Sequence, residues 1–416
     1  MIEPKLRFKA DDGSQFPGWE EKVFGDFVDT HLEKTSDKDK YPLYSLTIES
    51  GVQPKTDRYE REFLVKKEGD NYKIVPPNAF VYNPMNLRFG ALKVNHEKFS
   101  VSVSGYYDVF SLKDDSVLAF WENYLVTSKM LNYYFSIATG SLIEKLRVHY
   151  SQFVKIKKPL PSLPEQQKIA EFLSTIDTVI EKQKTTVSAW EERKKGVMQK
   201  LFSQKVRFKA DDGSQFPEWE EKGFLDVFEN LNNSTFSRDC LNYEAGNVKY
   251  IHYGDILTRF GFVIDVQSSN VPYVNEDLDC EKYALLSDGD IIIADTAEDD
   301  TVGKAVEIMN THCGKTISGL HTIVCHPREK FASKYLGYFM NADIYHNQLR
   351  PYMQGIKVTS VSKTNIALTK ILVPCIAEQQ KIADCFSSLD EVIEKQKATL
   401  AAWEELKKGL LQQMFL

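Results

Sequence analysis

The sequence predicts an α+β chain: two mixed α/β blocks separated by two long antiparallel coiled-coil helices, with pseudo-two-fold symmetry. Three observations carry this expectation. A short segment is written twice, a long amphipathic segment is written twice, and the blocks between them run β-like stretches into one helical stretch.

The short segment is RFKADDGSQFP, at Arg7–Pro17 and identically at Arg207–Pro217, each copy running on to Trp-Glu-Glu-Lys (Trp19–Lys22, Trp219–Lys222). The long segment starts EQQKIA at Glu165 and again at Glu378, and continues through VIEKQK and AWEE in both copies. The offsets are 200 and 213, so the second block is longer than the first. This divides the chain into an N-terminal repeat segment (1–22), a first block (23–162), a central helix (163–205), a repeat segment with the second block (206–375) and a distal helix (376–416). The ending LQQMFL followed by the opening MIEPKLRF echoes Met198–Phe208, which predicts that the two ends are neighbours. Near-identical frames around dissimilar blocks argue for frames held fixed while the inserts change.

The long segments read as helices on a 4-3-4-3 seam: Ile169, Leu173, Ile176, Ile180, Gln183 and Trp190 in one, Ile382, Phe386, Leu389, Ile393, Gln396 and Trp403 in the other. About 38 residues make a rod of roughly 57 Å. Ser162-x-x-Glu165 fits a capping box with Pro164 in the first turn, whereas Cys375 replaces the serine in the second copy. Gln183 and Gln396 are polar seam residues of the kind that sets register, which predicts that they meet at the crossing.

In the first block PLYSLTI, FVYNP, ALKVN and YYDVFSL read as strands, and VLAFWENYLVTSKMLNYYFSIA reads as a helix. In the second, VKYIHYGDIL, GDIIIADT, KAVEIM and HTIVCHP read as strands and FASKYLGYFMNADIYHNQL as the matching helix. A glycine (Gly140, Gly355), a basic or hydroxyl-rich loop and a short strand ending at proline follow in both.

Composition is that of an ordinary globular chain, 42% hydrophobic and 27% charged over 416 residues. No apolar run approaches the roughly 18 residues of a bilayer span, and the start has no apolar leader region. The six cysteines form no disulfide framework, and a cytoplasmic location is expected. Net charge is −7, but residues 23–162 sum to +2 and residues 223–375 to −6. A local stripe, rather than the total, sets an electrostatic footprint.

The doubled frame, with the pieces Gly254-Asp255-Ile256 and Gly289-Asp290-Ile291 in the second block, resembles the DNA-specificity subunit of type I restriction–modification enzymes. The first block departs from it, with Pro77-Asn78-Ala79-Phe80 in place of the Gly-Asp-Ile piece. The resemblance spans essentially the whole chain. It implies a non-catalytic subunit with two target-recognition domains, each reading one half of a bipartite, asymmetric site on double-stranded DNA. It implies that the helices set the half-site spacing and dock two methyltransferase (modification) subunits, with restriction/translocase subunits in the full complex. No cofactor is expected in this chain; S-adenosylmethionine, ATP and magnesium are expected on the partner subunits. No membrane is expected among the partners.

Base readers and phosphate contacts are expected among cationic, amide and hydroxyl side chains on inter-strand and post-helix loops. In the first block these are Lys40, Tyr41, Arg58, Asn83, Asn86, Arg88, Lys145 and Arg147. In the second they are Tyr253, Arg259, Thr301, Lys304, Lys357, Thr359, Ser360 and Lys363. For each, a solvated surface role is the alternative.

Other chemistry is weaker. Asn83-Pro84-Met85-Asn86 resembles an amino-methyltransferase motif but lacks the second proline and the aromatic, so a turn is the better reading. Gly314-Lys315-Thr316 lacks the first glycine of a phosphate loop. His312, Cys313, His321, Cys325 and His326 match no zinc spacing. The acidic run Asp288, Asp290, Asp295, Glu298, Asp299 and Asp300 lacks the Glu-x-Lys of a nuclease. No catalytic or metal residue is assigned. An enzyme reading fails for lack of a cofactor loop or a complete acid–lysine set; a two-headed scaffold that binds peptides or proteins is the competing reading, and the salt dependence of DNA binding separates it from a DNA reader.

Overall fold

The computed structural model describes residues 4–48, 51–55, 72–142, 145–276, 278–355 and 358–415. The chain divides into two units, residues 1–185 with 398–416, and residues 186–397.

In the first unit each strand finds antiparallel partners. A four-stranded sheet runs Val28–His31, Asp108–Leu112, Phe80–Tyr82, Leu92–Val94. A three-stranded sheet runs Lys34–Thr35, Tyr72–Val75, Val101–Val103, and Tyr44–Thr47 pairs with Gly51–Pro54. The core is aromatic: Phe80 stacks on Phe110 at 4.9 Å, and Phe24 meets Trp121 edge-on at 5.2 Å. Aromatic burial of this kind is among the largest single contributions a core receives.

The second unit holds a five-stranded sheet ordered Phe228–Leu231, Thr322–Pro327, Ile291–Ala294, Ala305–Met309, Val263–Asp265. Its last pair is parallel and the others antiparallel. Ile291–Ala294 is buried at every residue, as an unbroken apolar run requires of a central strand. A four-stranded sheet (Leu241–Asn242, Tyr273–Val274, Val248–Ile251, Lys315–Ser318) lies in the same unit.

Each expected block helix is two shorter ones. In the first unit Leu118–Tyr124 and Ser128–Ile137 are separated at Thr127, whose extended backbone and side chain cap the second helix through the Met130 N–H. In the second unit Tyr335–Phe339 and Asp343–Leu349 are separated at Asn341, whose amide bonds both backbone groups of Ala305 (3.1 and 2.7 Å). The first Gly-Asp-Ile piece is likewise helical, within Tyr253–Thr258, and His252 caps that helix by accepting the Gly254 N–H at 3.0 Å. In the second piece only Ile291 is in a strand.

The long segments are single helices, Leu163–Phe202 and Ile376–Phe415, 40 residues each. Within the first unit Asp177 pairs with Lys407 (2.6 Å) and Lys184 with Glu404 (4.0 Å), so numbers rise along one helix as they fall along the other. Within the second unit Lys194 pairs with Asp390 (2.5 Å) and Glu191 with Lys397 (3.0 Å) in the same antiparallel sense. Ile169, Leu173, Ile176, Ile180, Ile382, Phe386 and Ile393 are buried; Gln183, Trp190, Leu389, Gln396 and Trp403 are half-buried. Gln183 belongs to the first unit and Gln396 to the second.

The capping box does not form. Ser162 Oγ has no hydrogen-bond partner among the described residues, and the buried Glu165 turns instead to Arg7, which reaches it through Nε (3.0 Å) and Nη2 (2.8 Å). The second copy does the same, with Arg207 on Glu378 at 3.1 and 2.8 Å. A buried carboxylate gains more from a two-pronged guanidinium than from one backbone N–H.

Candidate nucleic-acid interface

One frame is built twice from the repeated residues. Lys168 meets Asp11 and Lys381 meets Asp211, both at 2.6 Å. Gln166 donates to the Pro161 carbonyl (2.9 Å) and Gln379 to that of Pro374 (2.8 Å). The Leu6 N–H bonds the Gln413 carbonyl at 3.1 Å, which brings the two ends together as expected. In the second unit the continuous chain makes the corresponding bond, Val206 N–H to the Lys200 carbonyl at 3.3 Å.

Each block enters and leaves its frame through a two-stranded antiparallel neck. Glu20–Val23 pairs with Lys157–Leu160, and Glu220–Gly223 with Lys370–Val373, in the same register. Entry and exit strands side by side leave the intervening residues free to form different sheets on a common base.

In the first unit the turn 83–91 and the described parts of the following loop, 138–142 and 145–148, are joined where the Val148 N–H bonds the Pro84 carbonyl (3.0 Å). Thr139 and Arg147 exchange two backbone bonds at 2.9 and 3.0 Å, which fixes the loop's direction. Asn83, Asn86, Arg88, Lys145 and Arg147 lie on this turn and loop, with the Nε and Nη1 of Arg88 buried. Asn83 Oδ1 is committed to the turn through the Met85 N–H (3.0 Å); Asn86 and Lys145 are exposed and Arg147 is half-exposed. The Arg88 guanidinium lies over Phe89 (4.7 Å) and Phe135 (5.7 Å), rings that are 54% and 55% exposed. Nothing local in the sequence distinguishes these two phenylalanines from core residues. Lys40 and Tyr41 lie on another turn, the Lys40 ammonium 5.2 Å from the Tyr41 ring centre. Arg58 lies outside the described residues.

In the second unit Thr359 and Ser360 form a short strand against Thr296–Ala297, and Lys363 opens the helix Lys363–Ile366 that Ser362 caps. Lys357 lies outside the described residues. Thr301 donates its hydroxyl to Asp299 at 2.5 Å. Lys304 turns inward: its ammonium donates to the Phe260 carbonyl (2.7 Å) at the end of the Tyr253–Thr258 helix, and burial pulls its pKa down. Tyr253 stacks obliquely on His252 at 4.7 Å and meets the His321 ring at 5.3 Å.

Arg259 belongs to a cluster that includes Arg238, a residue without local signal in the sequence. Both guanidiniums converge on Asp255, whose side chain is 2% exposed. Arg238 is bidentate on it (3.0 and 3.0 Å), and Arg259 contacts it at 3.4 Å. His252 Nδ1 accepts from the Gly254 N–H and lies 3.3 Å from Arg238 Nη2; burial first, then the Arg238 charge, push its pKa down.

Two of the acidic side chains singled out in the sequence have structural partners. Asp288 accepts both the N–H and the hydroxyl of Thr311 (2.7 and 2.8 Å), and Asp290 meets His326 at 2.6 Å. Among the described residues no group of three or more His, Cys, Asp or Glu is placed to hold a metal ion, and no helix is long and apolar enough to cross a membrane.

Charge is segregated in both blocks. The stretch from the paired helices through the loop to the neck strand has six Lys/Arg against two acids over 118–162, and five against one over 331–375. The remainder of each block is therefore net acidic, −2 for 23–117 and −10 for 223–330. Both blocks thus hold a positive excess on this stretch, whereas Arg238 and Arg259 lie in the acidic remainder of the second.

Comparison with known proteins agrees with this architecture. The family model for the type I restriction modification DNA specificity domain matches residues 18–187 and again 217–402. The putative MjaX specificity subunit of Methanocaldococcus jannaschii is 25% identical over 277 residues, 65% of this chain and 60% of that protein. The MjaVIII specificity subunit of the same organism is 26% identical over 272 residues, 62% and 61% of the two. The chain thus spans about 60% of the length of these curated relatives. In fold it is similar to the crystal structure of a type I system S subunit from M. genitalium, with a TM-score of 0.52 at 13% identity, covering 100% of this chain and 99% of that one. A structure from work on complex assembly and conformational transition of the type I R-M system matches equally, with a TM-score of 0.52 at 15% identity over 96% and 98%. The chain belongs to the type I restriction modification DNA specificity domain family, and it carries two copies of that domain.

Proposed function

We propose that this chain is the DNA-recognition subunit of a type I restriction–modification complex. Each block reads one half of a bipartite, asymmetric site on double-stranded DNA. The observation that carries the proposal is that one frame, down to the paired contacts of Arg7 with Glu165 and Arg207 with Glu378, bears two unlike sheets. A common base with unlike heads suits two unlike half-sites, and the basic stretch on each head suits a phosphate backbone.

In this reading the 40-residue helices set the gap between half-sites and dock two methyltransferase subunits. A major-groove reader meets the same face of the duplex about every 34 Å, a distance that rods of this length can span. Catalysis, with S-adenosylmethionine, ATP and magnesium, belongs to the partner chains, and restriction/translocase subunits complete the assembly. The Asn86–Arg88 turn and the Lys145–Arg147 loop are the first block's contact surface; Tyr253, Thr359, Ser360 and Lys363 are candidates in the second.

The test is a methylation map. The complex is assembled with the native chain and with a chain whose 23–162 block is replaced by that of a relative. The expected result is a change in one half of the methylated site, with the other half and the gap unaltered. A change in both halves, or in the gap alone, overturns the assignment.

A further inference from the structure

We infer that Arg238, Arg259 and Tyr243 form a prebuilt site for a DNA phosphodiester, with Asp255 as its positioning residue; this rests on the recognition role proposed above. The Tyr243 hydroxyl accepts from Arg238 Nη1 (3.2 Å) and from Arg259 Nη1 (2.5 Å). With its accepting capacity taken by two cations, that hydroxyl has only its own hydrogen to offer. Tyr243 is 45% exposed, which leaves that hydrogen available to an acceptor outside the cluster.

The charges select the kind of acceptor. Two guanidiniums share one carboxylate, so the cluster carries a net +1 while its single anion is buried. The Arg238 and Arg259 side chains remain 45% and 35% exposed. Asp255 orients Arg238, and Arg259 is further held by the Asn270 carbonyl at 3.1 Å and lies over the Tyr243 ring at 5.2 Å. A rigid cationic pair beside an available O–H matches an anionic tetrahedral group, and on the duplex that is the phosphodiester.

The experiment measures affinity against salt concentration for the full chain, assembled with its modification subunits, on a duplex carrying its mapped methylation site. Arg238→Ala is expected to weaken binding about tenfold and to lower the salt slope by about one. Tyr243→Phe changes no charge and is expected to weaken binding several-fold with the slope unchanged. Asp255→Asn separates positioning from simple attraction. It adds one positive charge to the cluster, so attraction alone predicts tighter binding, whereas loss of positioning predicts weaker binding. Thermal unfolding of each variant identifies any that fails to fold, and Tyr243→Phe, at an exposed position, then decides. Tighter binding by Asp255→Asn overturns the inference, as does wild-type affinity in both Arg238→Ala and Tyr243→Phe. Inorganic phosphate is titrated in parallel: variants that lose it yet bind duplex normally reduce the cluster to a small-anion site and also overturn the inference. A wild-type complex whose duplex affinity ignores salt would instead defeat the recognition role itself.

Discussion

Replacing Arg207 by alanine strips the frame's most enclosed carboxylate of its cation. Glu378 is fully buried, and its oxygens accept Arg207 Nε (3.1 Å), Arg207 Nη2 (2.8 Å) and Trp219 Nε1 (2.9 Å). The same guanidinium donates to the Pro217 carbonyl at 2.5 Å and so ties the repeated short segment to the start of the second long helix. Alanine removes both guanidinium bonds and leaves the indole N–H on a carboxylate that water cannot reach. Breaking a buried pair from one side costs about 3–5 kcal/mol. The exposed pair Lys397–Glu191 in the same unit, with side chains 46% and 49% exposed, sets the contrast. Its loss costs about 1 kcal/mol or less. For a unit of this size each kcal/mol lowers the melting temperature by about 2–4 °C, so Arg207→Ala should lower it by about 10 °C. The assay is calorimetric or near-ultraviolet unfolding of the full chain, with Lys397→Ala as the control. Pairing Arg207→Met with Glu378→Leu should recover much of the loss, because the stranded charge is then gone. If Arg207→Ala costs no more than Lys397→Ala, the burial argument is wrong.

Three other outcomes follow from the same geometry. Arg147→Ala should weaken binding at the first half-site by about 1–3 kcal/mol if it meets a base, read as methylation relaxed at one position; an unaltered map and affinity remove this loop from the interface. Lys304→Met should leave the salt slope of duplex binding unmoved yet cost about 1–2 kcal/mol of stability, since its ammonium holds backbone carbonyls; a slope lower by about one would place it on DNA after all. Burial pushes the Glu307 carboxyl up to about 7 from the ordinary 4.5, against the Gly337 and Lys334 N–H groups that favour its charged form. The folded state therefore holds its proton more tightly than the unfolded state, so this stability is present below about pH 4.5 and is lost as pH rises to about 7. Glu307→Gln should flatten that dependence in urea midpoints taken across the window; an unchanged slope would mean that the carboxylate is already ionised throughout.

The long helices were legible because a 4-3-4-3 apolar spacing sustained over many turns needs no distant partner to be recognised. The breaks in the block helices were less so. The one at Asn341 depends on the backbone of Ala305, a strand 36 residues away. The Ser162–Glu165 box was legible and did not form, because Arg7, 158 residues upstream, supplies a better partner for the carboxylate.

The candidate site divides the same way. The turn and loop of the first unit were readable as basic, amide-bearing connections, and the structure joins them. Arg238 was not readable, because its partners Asp255 and His252 are 17 and 14 residues away, and the fold alone brings them together.

The residues by themselves determined the doubled frame, the two antiparallel rods and the existence of two unlike blocks, since repetition and periodicity are properties of local order along the chain. Only the tertiary structure decided which cations face outward. A loop side chain points where its long-range partners leave room, so Lys304 was drawn inward to carbonyls while Arg238 and Arg259 were held at the surface by one buried carboxylate.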